Sequence, residues 1–366
     1  MRVNFFLDTI DGLSLRILDT FKRFPLASFS AFMVALIWMM LIEIDYTQQS
    51  PMSILANKVA FVSTMGIFLF PALHLLNRLI WSKLFGIALI VAYFYFLPTV
   101  IESRDITRHL LLLLALCFMF FWAPFINTNI SNKNIWEWTQ KILLILLATF
   151  VLSLTLYIVV AITLYSLNML FEIEIENRRY LQLAVLVMGL FSVNFFLSQM
   201  PKYILLVQRQ KYSKVGRVFT KYVLTPTMLL YMVILFGYIV KIILLQSWEK
   251  ITIDGMIITF SLLAIGTYMF WTPLWVQSNN RFRKLIWGST FILSIVLALS
   301  IWIRFKLGVD IAGLYLISLF ALWLGVISLY FLFFKNASYK WLFFSISLSI
   351  LIFQSGYVMN LVLSLK

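Results

Sequence analysis

A lysine and two tyrosines share one face of an apolar stretch and could form a polar site within it. Tyr231, Tyr238 and Lys241 are spaced by seven and three residues, which places them in line on a helix. An ammonium group beside two phenol hydroxyls can bind an anionic headgroup or substrate, or pair with an outer carboxylate such as Glu43, Glu172 or Asp254. A lysine near a helix end can instead extend its stem to the membrane surface, and tyrosines can serve in ordinary packing. A ligand site and simple packing both fit this pattern.

The apolar stretch before it carries amide and hydroxyl side chains. Asn194 and Ser198 stand four residues apart, so both lie on one helix face. Such side chains form hydrogen bonds between helices, each worth about 0.6–2 kcal/mol, or they contact a ligand. We expect Asn194 at a depth similar to that of Tyr231, so the two helices could line one intramembrane cavity. Pro226, which lacks a backbone donor, predicts a kink one turn inside the second helix.

The sequence contains little that could carry out a reaction. It has none of the motifs typical of nucleotide hydrolysis, dinucleotide binding, zinc proteolysis or serine hydrolysis. Its histidines are His74 and His109 and its one cysteine is Cys117, so we predict no metal site and no cofactor. A predicted outer loop with Glu102, Arg104, Asp105 and His109 holds the few candidate catalytic groups. No residue is assigned as catalytic.

The elements that hold these residues are apolar helices. Hydrophobic residues make up 63% of the 366 residues and charged residues 12%, and the mean hydropathy is +0.97, far outside the range of water-soluble proteins. We therefore predict an all-α, polytopic transmembrane helix bundle. About eleven stretches come near the length that a helix needs to cross about 30 Å of hydrocarbon. They are 25–43, 57–76, 84–101, 110–127, 142–168, 180–201, 222–246, 255–277, 285–303, 311–334 and 341–365.

Basic residues predict how these spans are threaded. The segment 202–221 carries six basic side chains and no acid, which is typical of a cytoplasmic loop. With the N-terminus inside, the inner segments hold nineteen of the 29 Lys and Arg residues and the outer segments nine, with Lys241 left in a span. We predict a cytoplasmic N-terminus and an external C-terminus. The basic loop residues are Lys202, Arg209, Lys211, Lys214, Arg217 and Lys221.

The basic loop also indicates partners. Its charge suits anionic lipid headgroups at the cytoplasmic face or a membrane-protein partner. The net charge of +15 lies in short loops between spans, so we do not expect nucleic acid to bind. Aromatic residues make up 17% of the chain, which is compatible with a homo-oligomer.

Two regions are predicted along the chain. Within residues 1–24, Phe6, Ile10 and Leu13 recur at helical spacing with most acids off that face, which predicts an amphipathic helix on the cytoplasmic surface. A first helix packed on the bundle is the alternative. Residues 25–366 form the transmembrane domain. No loop exceeds about twenty residues, so no soluble domain is expected within this chain.

The segment 219–248, FTKYVLTPTMLLYMVILFGYIVKIILLQSW, resembles a bacterial polytopic membrane family known as domain of unknown function 4153. The segment FFLSQMP at 195–201 and the final span support the resemblance. It implies a protein of many helices in the cytoplasmic membrane and implies no particular activity, substrate or cofactor. The resembling residues are Lys221, Tyr222, Pro226, Tyr231, Tyr238 and Lys241.

Three functions fit these features. The first is a non-enzymatic protein of the bacterial envelope that binds a lipid-like ligand, or passes a small solute, through a cavity lined by Asn194, Tyr231, Tyr238 and Lys241. The second is a membrane scaffold or a subunit of a larger envelope complex. The third is a membrane-embedded enzyme acting on lipid-linked substrates, for which the outer-loop acid–base groups are the candidates.

Overall fold

The computed structural model describes residues 19–43, 51–76, 80–128, 130–172, 174–201, 214–245, 253–274, 280–306 and 311–354. Within these ranges the chain forms helices and no strand. Helices are the form that an apolar chain takes in lipid, because they satisfy backbone donors and acceptors within one segment. The prediction of an all-α fold is confirmed.

After a short helical stretch at residues 19–23, eleven longer helices follow one another in the described ranges, when a helix that continues through a π-helical stretch is counted as one. They are α1 Pro25–Glu43, α2 Pro51–Leu76, α3 Ile80–Phe96, α4 Ser103–Trp122, α5 Asn132–Phe171, α6 Asn177–Gln199, α7 Lys214–Leu245, α8 Ile253–Trp271, α9 Asn280–Lys306, α10 Ile311–Phe333 and α11 Tyr339–Gln354. Each overlaps one predicted span. Among these described helices, eight are long and apolar enough to cross a membrane, and α3, α10 and α11 contain shorter apolar helices.

The chain divides into two compact units, which are described separately below. The first unit comprises Met1–Asn127 and Trp138–Val207, and the second comprises Thr128–Glu137 and Gln208–Lys366. The predicted amphipathic helix at 1–24 falls mostly outside the described residues, which begin at residue 19. Residues 19–23 of that segment are helical.

In the first unit, α1 packs closely on α2. Ile37 and Leu41 of α1 form a buried cluster with Ala60 of α2. A Cβ atom at Gly66 would meet the hydroxyl of Ser30, so the glycine allows the two helices to approach at this level. Small residues are typical of such contacts between membrane helices. A second buried cluster joins α2 to α4 and consists of Met65, Leu69, Leu73, Leu112 and Leu116.

His109 lies inside α4 and not in the outer loop that the sequence predicts. α4 begins earlier than expected because Glu102 and Asp105 cap its first turn reciprocally. His109 is buried, its Nε2 lies 2.7 Å from the Thr64 hydroxyl of α2, and its Nδ1 lies 2.9 Å from the Tyr93 hydroxyl of α3. Both ring nitrogens are therefore hydrogen-bonded, and the imidazole joins three helices.

The second unit contains an ion pair between α8 and α9. Asp254, in the first turn of α8, is 5% exposed, and its Oδ2 lies 2.6 Å from Nη1 of Arg304. The Ser300 hydroxyl donates to Oδ1 of the same carboxylate at 2.9 Å. The sequence predicts that Asp254 and Arg304 both lie near the outer membrane surface, but it does not predict that they form an ion pair. The ion pair fixes the start of α8 to the end of α9.

Arg283 lies within α9 and is buried, although the sequence places it in an inner loop. Its Nη1 donates to the carbonyls of Phe331, Leu332 and Phe334, at 2.6, 3.1 and 3.1 Å. The last carbonyls of a helix have no donor within that helix, so the end of α10 needs an external partner. Arg283 supplies this partner from within α9. Helix α9 therefore begins before Arg283, although a charged residue at this position suggests a loop.

Candidate ligand-binding groove

Helix α6 departs from regular α-helical geometry in its middle. Val185–Phe191 is π-helical, and the Ser192 backbone N–H donates to the Val187 carbonyl five residues earlier. Side chains use the carbonyls of this widened stretch: the Ser192 hydroxyl donates to Met188, and Asn194 Nδ2 donates to Leu190 at 2.8 Å. π-Helical turns are frequent at functional sites, because they change which side chains face a neighbouring helix.

A groove lies between α1 and α6 within the first unit. α1 and the turn before it contribute Phe21, Pro25, Ser28, Phe29 and Phe32, and α6 contributes Leu186, Leu190, Phe191, Asn194, Phe195, Ser198 and Gln199. Its volume is about 950 Å³, near the upper end of the range found for ligand sites. Both helices are long and apolar enough to cross a membrane.

Contacts at both ends hold α1 and α6 side by side. Just before α1, Arg23 donates to the carbonyls of Met200 and Pro201, both at 2.7 Å. At the other end, Arg179 Nη1 lies 2.6 Å from Oε1 of Glu43. The start of α1 therefore lies beside the end of α6, and the helices run antiparallel along the groove.

The polar side chains of the groove are grouped towards one end. Ser28 stands in the first turn of α1, while Asn194, Ser198 and Gln199 stand in the last two turns of α6. The rest of the lining is aromatic, aliphatic or proline. Ser28 Oγ and Asn194 Oδ1 are covered and have no hydrogen-bond partner within the described residues. The groove is thus amphipathic along its length.

Two predicted site residues, Asn194 and Ser198, lie in this groove. Tyr231, Tyr238 and Lys241 belong to the second unit. There, the Tyr231 hydroxyl donates to the Met256 carbonyl at 3.1 Å, Tyr238 is half-buried and Lys241 is exposed. The cavity predicted to join these residues to Asn194 stays a prediction.

Two of the three carboxylates proposed as partners of Lys241 have other cations beside them, and a pairing with the third, the exposed Glu172, stays a prediction. Glu43 pairs with Arg179, and Asp254 pairs with Arg304. An exposed lysine in the last turns of α7 fits the alternative in which its stem extends along the helix towards the membrane surface.

A π-helical turn at Thr220–Leu224 comes just before Pro226, the predicted kink. A proline has no N–H and its ring excludes the regular bond to the carbonyl four residues earlier, so the preceding turn widens. The Thr225 hydroxyl donates to the Thr220 carbonyl at 2.7 Å and accepts from Trp271 Nε1 at 2.7 Å. The irregular turn is thereby fixed to α8.

The predicted basic patch is described only in part. Lys214, Arg217 and Lys221 are exposed at the start of α7. Lys202, Arg209 and Lys211 lie outside the described residues.

The sequence analysis did not predict that α1 forms one side of the groove, although the spacing of its residues indicates a continuous face. Phe21, Pro25, Ser28, Phe29 and Phe32 recur at helical spacing and mark one face of α1. In the described part of the chain, no three His, Cys, Asp or Glu side chains lie close enough to hold a metal ion. The described lining of the groove consists of apolar side chains and a few neutral polar ones.

Comparison of the chain with protein-family models, with curated proteins and with solved structures gave no match. The resemblance to domain of unknown function 4153 accordingly stays a prediction. The long apolar helices define the class of protein as an all-α membrane protein.

Proposed function

We propose that this protein binds a lipid-like amphiphile in the groove between α1 and α6. The observation that carries the proposal is an open volume of about 950 Å³ between two helices that are each long and apolar enough to span a membrane. At that depth the surrounding solvent is lipid and not water, so hydrocarbon chains enter such a groove more readily than polar solutes.

The distribution of polar groups favours an amphiphile over a small polar solute. Ser28, Asn194, Ser198 and Gln199 lie towards one end, and none of the described side chains that line the groove carries a formal charge. A hydrocarbon chain fits the apolar end, while hydroxyl, ester or amide groups fit the polar end. A polar solute would need such groups along its whole path.

We also propose eleven spans in a bacterial cytoplasmic membrane, with the N-terminus inside and the C-terminus outside. The nineteen-to-nine distribution of Lys and Arg supports this threading. Two ion pairs support the alternation of sides, because Glu43 with Arg179, and Asp254 with Arg304, each join residues that the threading assigns to the same side. In this orientation the polar end of the groove faces the cytoplasm.

Replacing Leu190 with tryptophan should block the groove. The larger side chain occupies space that the ligand needs, and we expect labelling of groove peptides by a photo-crosslinkable phospholipid analogue to fall at least about tenfold, which corresponds to 1.4 kcal/mol. The measurement is mass spectrometry of the purified protein after irradiation in vesicles that contain the analogue.

Leu181→Trp is the matched control, because Leu181 is exposed on the same helix outside the groove lining. It should label like the wild type. Equal labelling of groove peptides in L190W and the wild type would contradict the proposed function.

The threading is tested by cysteine labelling in a chain whose Cys117 is replaced by alanine. A cysteine at Ser213, in the basic loop, should react with a membrane-impermeant maleimide only after the cells are permeabilised. A cysteine at Lys250, in the next predicted outer segment, should react in intact cells. Labelling of the Ser213 position from outside would reverse the assigned sides.

A further inference from the structure

The polar end of the groove between α1 and α6 contains two oxygen atoms that lack a hydrogen-bond partner within the described residues. They are Ser28 Oγ on α1 and Asn194 Oδ1 on α6, and both atoms are buried. The Ser28 residue as a whole is 1% exposed. A buried polar atom without a partner destabilises the fold, and a ligand that supplies the partner recovers that loss.

The hydrogen bonds of the neighbouring groups decide what kind of partner is missing. Asn194 Nδ2 donates to the Leu190 carbonyl at 2.8 Å, which leaves the side-chain oxygen as the free end of the amide. An amide oxygen can only accept a hydrogen bond, whereas the Ser28 hydroxyl can donate or accept. A ligand that satisfies Asn194 must therefore carry an O–H or N–H group. The oxygens of a phosphodiester or a carboxylate cannot supply it.

The described lining also lacks a group that would compensate a charged headgroup. Its polar side chains are hydroxyls and amides, and none carries a formal charge. The Arg23 guanidinium, just before α1, donates to the carbonyls of Met200 and Pro201 and is not among the lining residues. Placing an anion among neutral, mostly apolar side chains costs more free energy than one hydrogen bond recovers. An uncharged polar group is therefore favoured.

We infer that the groove selects an uncharged amphiphile whose polar group donates a hydrogen bond to Asn194, as the free hydroxyl of a diacylglycerol does. The inference rests on the proposed function and names the chemical class of its ligand. Ser28 and Asn194 already line the groove, so rotation about their side-chain bonds is sufficient to turn either oxygen towards a ligand.

The test compares two photo-crosslinkable lipids that differ only in the donor: a diacylglycerol and its 3-O-methyl ether, in which the hydroxyl proton is replaced. Phosphatidic acid with the same photoreactive chain is the charged counterpart. After irradiation of vesicles that contain the full-length protein, mass spectrometry measures the labelling of groove peptides. We expect the diacylglycerol to label the wild type about fivefold more than either of the other lipids, the effect of one hydrogen bond.

Asn194→Leu removes the acceptor and should lower labelling by the diacylglycerol to the level of the methyl ether, while labelling by the ether stays unchanged. Ser192→Ala is the matched control on the same helix. The Ser192 hydroxyl donates to the Met188 carbonyl and lies outside the groove lining, so this variant should keep the fivefold difference.

Equal labelling of the wild type by the diacylglycerol and its methyl ether would overturn the inference, as would stronger labelling by phosphatidic acid. A fivefold difference that persists in a folded N194L protein would overturn the role of Asn194. If N194L does not fold, the comparison of the three lipids in the wild type decides. Leu190→Trp separates this inference from the proposed function: if it lowers labelling by all three lipids while the wild type does not distinguish them, only the inference fails.

Discussion

Replacing Asp254 with alanine is expected to lower the free energy of unfolding by about 3 kcal/mol, near the lower end of the range for breaking a buried ion pair. The substitution removes the carboxylate that pairs with the Arg304 guanidinium and that accepts from the Ser300 hydroxyl. Arg304 keeps some contact with its surroundings because its side chain is 23% exposed, which limits the loss. Equilibrium unfolding in mixed detergent micelles measures the change.

A double substitution separates the ion pair from the loss of packing. Asp254→Ala together with Arg304→Met removes both charges, so the combined loss should be smaller than the sum of the two single losses. Glu174→Ala removes an exposed acid and should change the free energy of unfolding by less than about 0.5 kcal/mol. Additive losses at Asp254 and Arg304 would show that the two residues do not stabilise each other.

Replacing Arg283 with methionine should lower the free energy of unfolding by about 2–3 kcal/mol. Methionine retains much of the apolar stem but leaves the carbonyls at the end of α10 without the donor that Arg283 supplies. Arg283→Lys should recover part of the loss, because one ammonium group cannot reproduce the planar fork of a guanidinium. The same unfolding measurement applies.

Lys284→Met is the control for this substitution. Lys284 follows Arg283 in the chain and is exposed, so removing its charge should have little effect on stability. If K284M and R283M unfold at the same detergent concentration, the hydrogen bonds from Arg283 to α10 contribute no more to the free energy of unfolding than a surface charge does.

Helix positions could largely be predicted from the sequence, whereas several helix ends could not. Apolar length predicts a span, and each predicted span overlaps a helix of the structure. Charged residues are poor markers of an end when they make contacts inside the fold. The sequence predicts loops at His109 and Arg283 because both residues are polar. In the structure both lie in helices, where they form hydrogen bonds with groups of neighbouring helices.

The sequence by itself determined that this is a helical membrane protein. Its hydrophobic content and the length of its apolar stretches require surrounding lipid, and in lipid the backbone groups must pair within each helix. It also identified Asn194 and Ser198 as neighbours on one face. Only the tertiary structure decided which helix faces them and that Arg304, rather than Lys241, pairs with Asp254. These contacts depend on packing between segments distant in the chain, and apolar helices of similar composition offer many equivalent pairings until their side chains interlock.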